Sequence, residues 1–256
     1  MHRHIKIILS LIMIILTTSV KAQDIDINNK QFIHLKLQHS QTKDTFTYGL
    51  VFKGVNFVIG YSLIKKTEQR IFFCSPDLTL GINSNKGVGL SFQFTPIDLG
   101  YGFQLNDSKI SPVFLGPSVA THYRWNLYPE IQSGQMYWFT SIELGSTLIV
   151  QHPWKKMLWK VTLTNSLAGW CSRNPPCTEK YFFSLKFSDF IHNAHSHFKF
   201  GSFNLFNHTV LDILALNLLS KRISLGYEFE YLGYFQSPKL QYLTHSLNLR
   251  WKIGKL

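Results

Sequence analysis

Charged residues are scarce in this chain: 16% of its 256 residues are Asp, Glu, Lys or Arg, where a soluble domain carries about a quarter. Long apolar runs are missing too. Beyond the first two dozen residues no stretch reaches the roughly 20 apolar residues of a membrane helix. Cysteine is limited to Cys74, Cys171 and Cys177, and without a C-x-x-C pair and its spaced partner a zinc finger is excluded. No nucleic-acid-binding motif occurs, although basic residues outnumber acidic ones by 26 to 14. Aromatic residues, in contrast, make up 15% of the chain at a mean hydropathy near zero, which rules out a disordered polar tail.

The start of the chain has the form of an export signal. His2 to Lys6 are basic, Ile7 to Val20 are almost wholly apolar, and Val20-Lys21-Ala22 offers a cleavage site before Gln23. The apolar stretch suits a signal-peptide core and is short for a bilayer span. Residues 1–22 therefore read as a cleaved leader, 23–30 as a periplasmic lead-in and 31–256 as a single domain. Losing Arg3, Lys6 and Lys21 with the leader lowers the formal charge from +12 to +9. In an oxidising compartment Cys171 and Cys177 can close a small loop as a disulfide, with Cys74 left as a small hydrophobe.

Alternation with period two dominates the rest of the chain. Ile223, Leu225, Tyr227, Phe229 and Tyr231 interleave with Arg222, Ser224, Gly226, Glu228 and Glu230, and Leu247, Leu249, Trp251 and Ile253 interleave with Ser246, Asn248, Arg250 and Lys252. Each such segment is a strand with one apolar and one polar face. The strands are about ten residues long and often begin or end in aromatics, their polar faces are rich in Gly, Ser, Thr, Asn and Gln, and short turns alternate with longer polar loops. These features favour an all-β, single transmembrane antiparallel barrel of the outer membrane over a soluble β-sandwich. The count is about 12 strands, within 10–14. Lys53-Gly54 and Ser220-Lys221 read as tight turns, Lys65 to Arg70 as a longer loop, and Thr95-Pro96 as a turn or a bulge.

The C-terminal fifth resembles an uncharacterised family of Bacteroidetes-type outer-membrane barrels. The resemblance rests on Asn207-His208, the strand Gly226 to Tyr234, Gln236 with Lys239, and His245-Ser246 before the closing strand, over residues 203–256. It implies the barrel fold and no activity.

Residues with chemistry fall into three groups. Glu228, Glu230, Arg250 and Lys252 face the barrel lumen on neighbouring strands and are expected to pair, with Glu143 and Asp98 joining the network. His195, Ser196, His197, His245 and Ser246 are the candidates for a lipid hydrolase or a metal site. A strand nucleophile and its base need to be two residues apart to share a face, and here His and Ser are adjacent, so no catalytic pair, metal or cofactor is expected. The third group is basic: Lys65, Lys66 and Arg70, then Lys155, Lys156 and Lys160, then Lys239, whose natural partners are lipid and lipopolysaccharide phosphates. The expected role is non-enzymatic, whether structural, surface-interacting or a small-solute pore, with a lipid-modifying hydrolase as the alternative. Delivery would involve the barrel-assembly machinery, and no nucleic-acid partner is expected.

Overall fold

A computed structural model describes residues 29–253, apart from 86, 109, 130–135, 156, 174–191, 193–194 and 221. The leader, the lead-in before residue 29 and Cys177 lie outside the described residues. Among the described residues twelve strands form one antiparallel sheet: β1 (Asn29–Asp44), β2 (Val51–Lys66), β3 (Arg70–Cys74), β4 (Asp77–Ser84), β5 (Val88–Gln104), β6 (Val113–Leu127), β7 (Met136–Trp154), β8 (Met157–Arg173), β9 (Lys199–Ser202), β10 (Phe206–Ser220), β11 (Ile223–Tyr234) and β12 (Leu240–Ile253). The sheet closes on itself. β1 pairs with β12 from Gln31 opposite Ile253 to Asp44 opposite Leu240, and with β2 along its other edge.

The wall has ten strand positions. β3 and β4 share one of them, because both lie between β2 and β5 and are separated only by Ser75-Pro76. β9 extends the position of β10 along β8, pairing Lys199 with Cys171 and Ser202 with Ala168 before β10 takes over at Thr209 opposite Asn165. The register against β2 runs unchanged across Ser75-Pro76, where the Tyr61 N–H donates to the Pro76 carbonyl at 3.0 Å.

The alternation has its expected outcome. Along β2 the even-numbered residues Phe52 to Val58 are buried and the odd-numbered Val51 to Ile59 exposed. The exposed set includes Ile33, Leu35 and Leu37, Val55, Phe57 and Ile59, and Leu247, Leu249 and Trp251. A closed antiparallel wall with apolar side chains outside and polar ones inside is a transmembrane β-barrel. Closure pairs the strands' backbone groups within the wall, leaving no open edge to desolvate in lipid.

Pro96 also belongs to one continuous strand. The register of β5 against β6 shifts between Phe94 and Ile97, so the inward residues change from Gly89, Ser91 and Gln93 to Asp98, Gly100 and Gly102. This bulge is what aims Asp98 into the lumen. Lys53-Gly54, expected as a turn, lies inside β2. The true β1–β2 turn is Thr45–Thr47 followed by Tyr48 and Gly49, which have φ of 55° and 71°. Asp44 fixes it by accepting the Phe46 N–H at 2.9 Å. The connection after Lys66 is also corrected: only residues 67–69 separate β2 from β3, at the same end of the barrel as the β10–β11 turn.

Candidate functional site: the layered barrel interior

The interior is filled in three layers. At the turn end, inward residues from most of the wall form an apolar plug of Phe32, Ile64, Ile71, Phe73, Phe114, Ile149, Leu158, Leu214 and Leu216. Nothing in a purely alternating pattern requires this plug. Its sequence signal is the loss of alternation near the strand ends, as in Ile71-Phe72-Phe73 and Leu214-Ala215-Leu216.

At the loop end, aromatic and aliphatic side chains close over an ion pair. Arg173 on β8 donates to Asp44 on β1 at 2.7 Å and to the Pro238 carbonyl at 2.7 Å. Its guanidinium lies over the Phe46 and Tyr234 rings, 5.2 and 5.7 Å from their centroids. Phe139, Leu232, Tyr234, Leu240 and Tyr242 pack on one side of it, and Phe52, Tyr128 and Tyr137 form a separate cluster.

Between these layers lies a belt of buried charge. Lys36 on β1 donates to both Glu228 oxygens at 2.8 Å and to Asp77 at 3.4 Å. Arg124 on β6 pairs with Glu230 on β11 and stacks on Tyr242 at 4.6 Å. Arg250 on β12 donates to Asp212 on β10 at 2.8 Å. His208 on β10 bridges two carboxylates, Nδ1 lying 2.7 Å from Glu143 and Nε2 lying 2.9 Å from Glu230. Ionised carboxylates only accept, so the ring donates at both nitrogens. Glu143 is held further by Ser141 at 2.6 Å and by Ser166. Gln93 reaches across to the Tyr242 hydroxyl at 2.6 Å, and that hydroxyl lies 3.3 Å from Gln38.

The structure brings five of the six expected network members into this belt, four of them paired with side chains on other strands and Asp98 without a pair among the described residues. Glu228 and Glu230 do not pair with Arg250 and Lys252. In the β11–β12 ladder Glu228 faces Ser246, whereas Arg250 faces Ser224, an offset of four residues or roughly 13 Å along the strand. The charges pair instead with residues on other strands, and sequence reasoning missed Lys36, Asp77, Arg124, His208 and Asp212. Lys252 shares the inward parity of Arg250 but makes no ion pair among the described residues. Asp98 lines the central cavities, yet its carboxylate makes no hydrogen bond or ion pair among the described residues.

The hydrolase candidates are not brought together. His245 faces outward, its Nδ1 2.6 Å from the Tyr227 hydroxyl, while Ser246 is buried inside. His195 lies 2.8 Å from the outward Tyr123 hydroxyl. The Ser196 carbonyl accepts from Ser172, and His197 takes a left-handed backbone at φ 59°. Cys171 is a free thiol buried in β8 against Leu205 and Phe206, not part of an exposed loop. Two of the basic residues assigned to lipid also face inward: Lys160 is buried, and Lys66 donates to Gln151 at 2.9 Å. Both are on inward parity, where they fill the lumen beside Phe73 and Phe114.

Closed wall, apolar exterior and charge-filled interior define the class: this is a transmembrane β-barrel. No family model and no curated protein matches the chain. Among solved structures it is similar to the translocator domain of the autotransporter NalP from Neisseria meningitidis, at 10% identity and a TM-score of 0.49 over 91% of this chain and 90% of that one. It is similar to the outer membrane protease OmpT from Escherichia coli at 9% identity and 0.49, over 92% and 100%. Neisserial surface protein A matches at 10% and 0.39, over 87% and 97%. The strand register, not these distant likenesses, carries the fold assignment.

Proposed function

We propose that this protein is a sealed, non-enzymatic barrel that acts through its surface: a structural or surface-interaction component of the outer membrane and not a solute pore. The observation that supports this reading most directly is the layered filling of the lumen, an apolar plug below, a cross-barrel charge belt in the middle and an aromatic closure above. The cavities left in the charge belt are about 60–70 Å³ each, space for a few water molecules and too little for a sugar or amino acid. A barrel of this girth is readily filled by its own side chains.

Planar-bilayer recording of the refolded protein tests this. The expected result is a baseline without steady channel conductance. A reproducible open-channel current from the wild-type protein would overturn the sealed reading and restore the small-solute pore.

Export with cleavage before Gln23 and a lipopolysaccharide partner belong to the same proposal. At the loop end, which faces outward in this reading, Lys43, Lys53, Lys199 and Lys239 are exposed cations suited to lipid phosphates. Lys65, Arg70 and Lys155 sit at the turn end. Intact-mass spectrometry of the barrel purified from membranes checks both points. A mature start at Gln23 and lipopolysaccharide lost on replacing the four loop-end lysines are expected; a retained leader, or lipid binding unchanged in the variant, would refute the corresponding part.

A further inference from the structure

We infer that the cavity beside His122, Glu143 and His208 is a binding site for a divalent transition metal of the zinc class, with Asp98 as a fourth donor. This goes beyond the sealed-barrel reading and does not depend on it.

The geometry comes first. One ligand-capable atom from each of His122, Glu143 and His208 lies within 4.8 Å of the other two, and the two imidazoles meet edge to face at 4.9 Å between centroids. Tetrahedral zinc with Zn–N and Zn–O bonds of about 2.0–2.2 Å brings its donors to roughly 3.3 Å from one another. The three side chains therefore surround the position with an inward rotation of an ångström or so still to make. A cavity of about 70 Å³ lies against all three and against Asp98. It exists because the row joining Asp98 to Glu143 across the wall passes through Ala120, whose methyl group fills little of the space between two carboxylates.

The second observation is an orphaned atom. His122 Nδ1 lies 3.2 Å from the Thr95 hydroxyl, which fixes the ring, while its Nε2 is buried without a hydrogen-bond partner and lies 3.9 Å from Glu143. A buried ring nitrogen left unsatisfied is costly, and one whose opposite nitrogen is held by a hydroxyl is oriented as metal-bound histidines usually are. The Asp98 carboxylate at the same cavity is likewise without a hydrogen bond or ion pair among the described residues.

Charge balance agrees. Around the central cavities stand six carboxylates, Asp77, Asp98, Glu143, Asp212, Glu228 and Glu230, against four permanent cations, Lys36, Arg124, Lys160 and Arg250. With the His208 imidazolium counted the metal-free belt is one positive charge short, and a divalent ion that displaces the proton shared by His208 and Glu143 closes the balance. A set of two imidazoles with carboxylates suits zinc and its neighbours better than calcium or magnesium, which take all-oxygen sites. On binding, the ion takes the place of the proton that His208 shares with Glu143 in the metal-free site. That nitrogen and that oxygen become two ligands, and one proton leaves to solvent.

Refolding tag-free protein in detergent with zinc, removing excess metal and measuring retained zinc tests the site; Co²⁺ loaded the same way reports the ligand field. A single retained equivalent and the visible absorption of four-coordinate Co²⁺ with nitrogen and oxygen ligands are expected. His122→Ala, which removes only the weakly engaged ring, should lower affinity more than about 100-fold, beyond the loss that supporting residues usually cause. The wall variants His39→Ala/His245→Ala and His195→Ala/His197→Ala should bind as wild type. Absence of retained metal in the wild type, unchanged binding in His122→Ala, or loss in either wall variant would overturn the proposal. The Co²⁺ spectrum keeps it testable even where a variant refolds poorly.

Discussion

Arg124→Ala is expected to destabilise the barrel by about 3–5 kcal/mol, the cost of removing one partner of a buried ion pair. Arg124 is 5% exposed and Glu230 is 8% exposed, so the carboxylate left behind cannot recover its lost partner from bulk water. His208 at 2.9 Å and Thr244 at 3.3 Å remain as donors to Glu230, which limits the loss but does not replace a full charge. Truncation also removes the guanidinium from the Tyr242 ring, loosening the residue that joins Gln93 to Gln38 across the lumen. Replacing both partners, as in Arg124→Met/Glu230→Gln, should cost much less, because neither buried charge is then left alone. Urea unfolding of the refolded barrel in vesicles, followed by tryptophan fluorescence, measures both. A single-variant loss below about 1 kcal/mol, the range of solvated surface pairs, would mean that the belt is wet and that the pair does not seal the lumen.

The same belt shows what sequence could and could not convey. Which residues face inward was legible, because a strand exposes its two faces with period two and membrane-facing positions tolerate little charge; Glu228, Glu230, Arg250, Glu143 and Asp98 were placed inside on that ground alone. Asp98 is the subtler case. The outward set switches from even numbers, ending at Phe94, to odd numbers, starting at Ile97, and that switch at Pro96 is the bulge that points it inward. Depth and partner were not legible. Lys36 and Glu228 are 192 residues apart and Arg124 and Glu230 are 106 apart, and their meeting depends on closure of the wall and on the stagger of every ladder between them. Neighbouring strands suggested Arg250 and Lys252 as partners, but the four-residue offset of β11 and β12 carries those charges to another level. His208 carried no local signal beyond its place beside Asn207. It becomes central because β10, β7 and β11 bring Glu143 and Glu230 to its two nitrogens.

Ile59→Arg tests the exterior as Arg124→Ala tests the interior. Ile59 stands near the middle of β2, points outward with 47% exposure, and lies opposite Leu35 on β1 and Leu78 on β4. If this surface met water, an exposed arginine here would change stability by no more than about 0.5 kcal/mol. Against lipid, a guanidinium near the bilayer midplane costs about 2–4 kcal/mol, and the cost falls to about 0–1 kcal/mol toward the interface. The comparison with Val51→Arg, on the same outward face but at the loop end of β2, isolates depth from chemistry. The expected result is a loss of about 2–4 kcal/mol for Ile59→Arg and less than about 1 kcal/mol for Val51→Arg, read as the difference in unfolding free energy in vesicles. Equal effects at the two positions would contradict a lipid-facing belt centred on Ile59. The gradient is the physical counterpart of the chain's low charged fraction. Half of every strand faces a solvent that will not hydrate charge, so charges stand either at the two rims or inside, where Lys36, Arg124, Arg250 and His208 pair with carboxylates across the barrel.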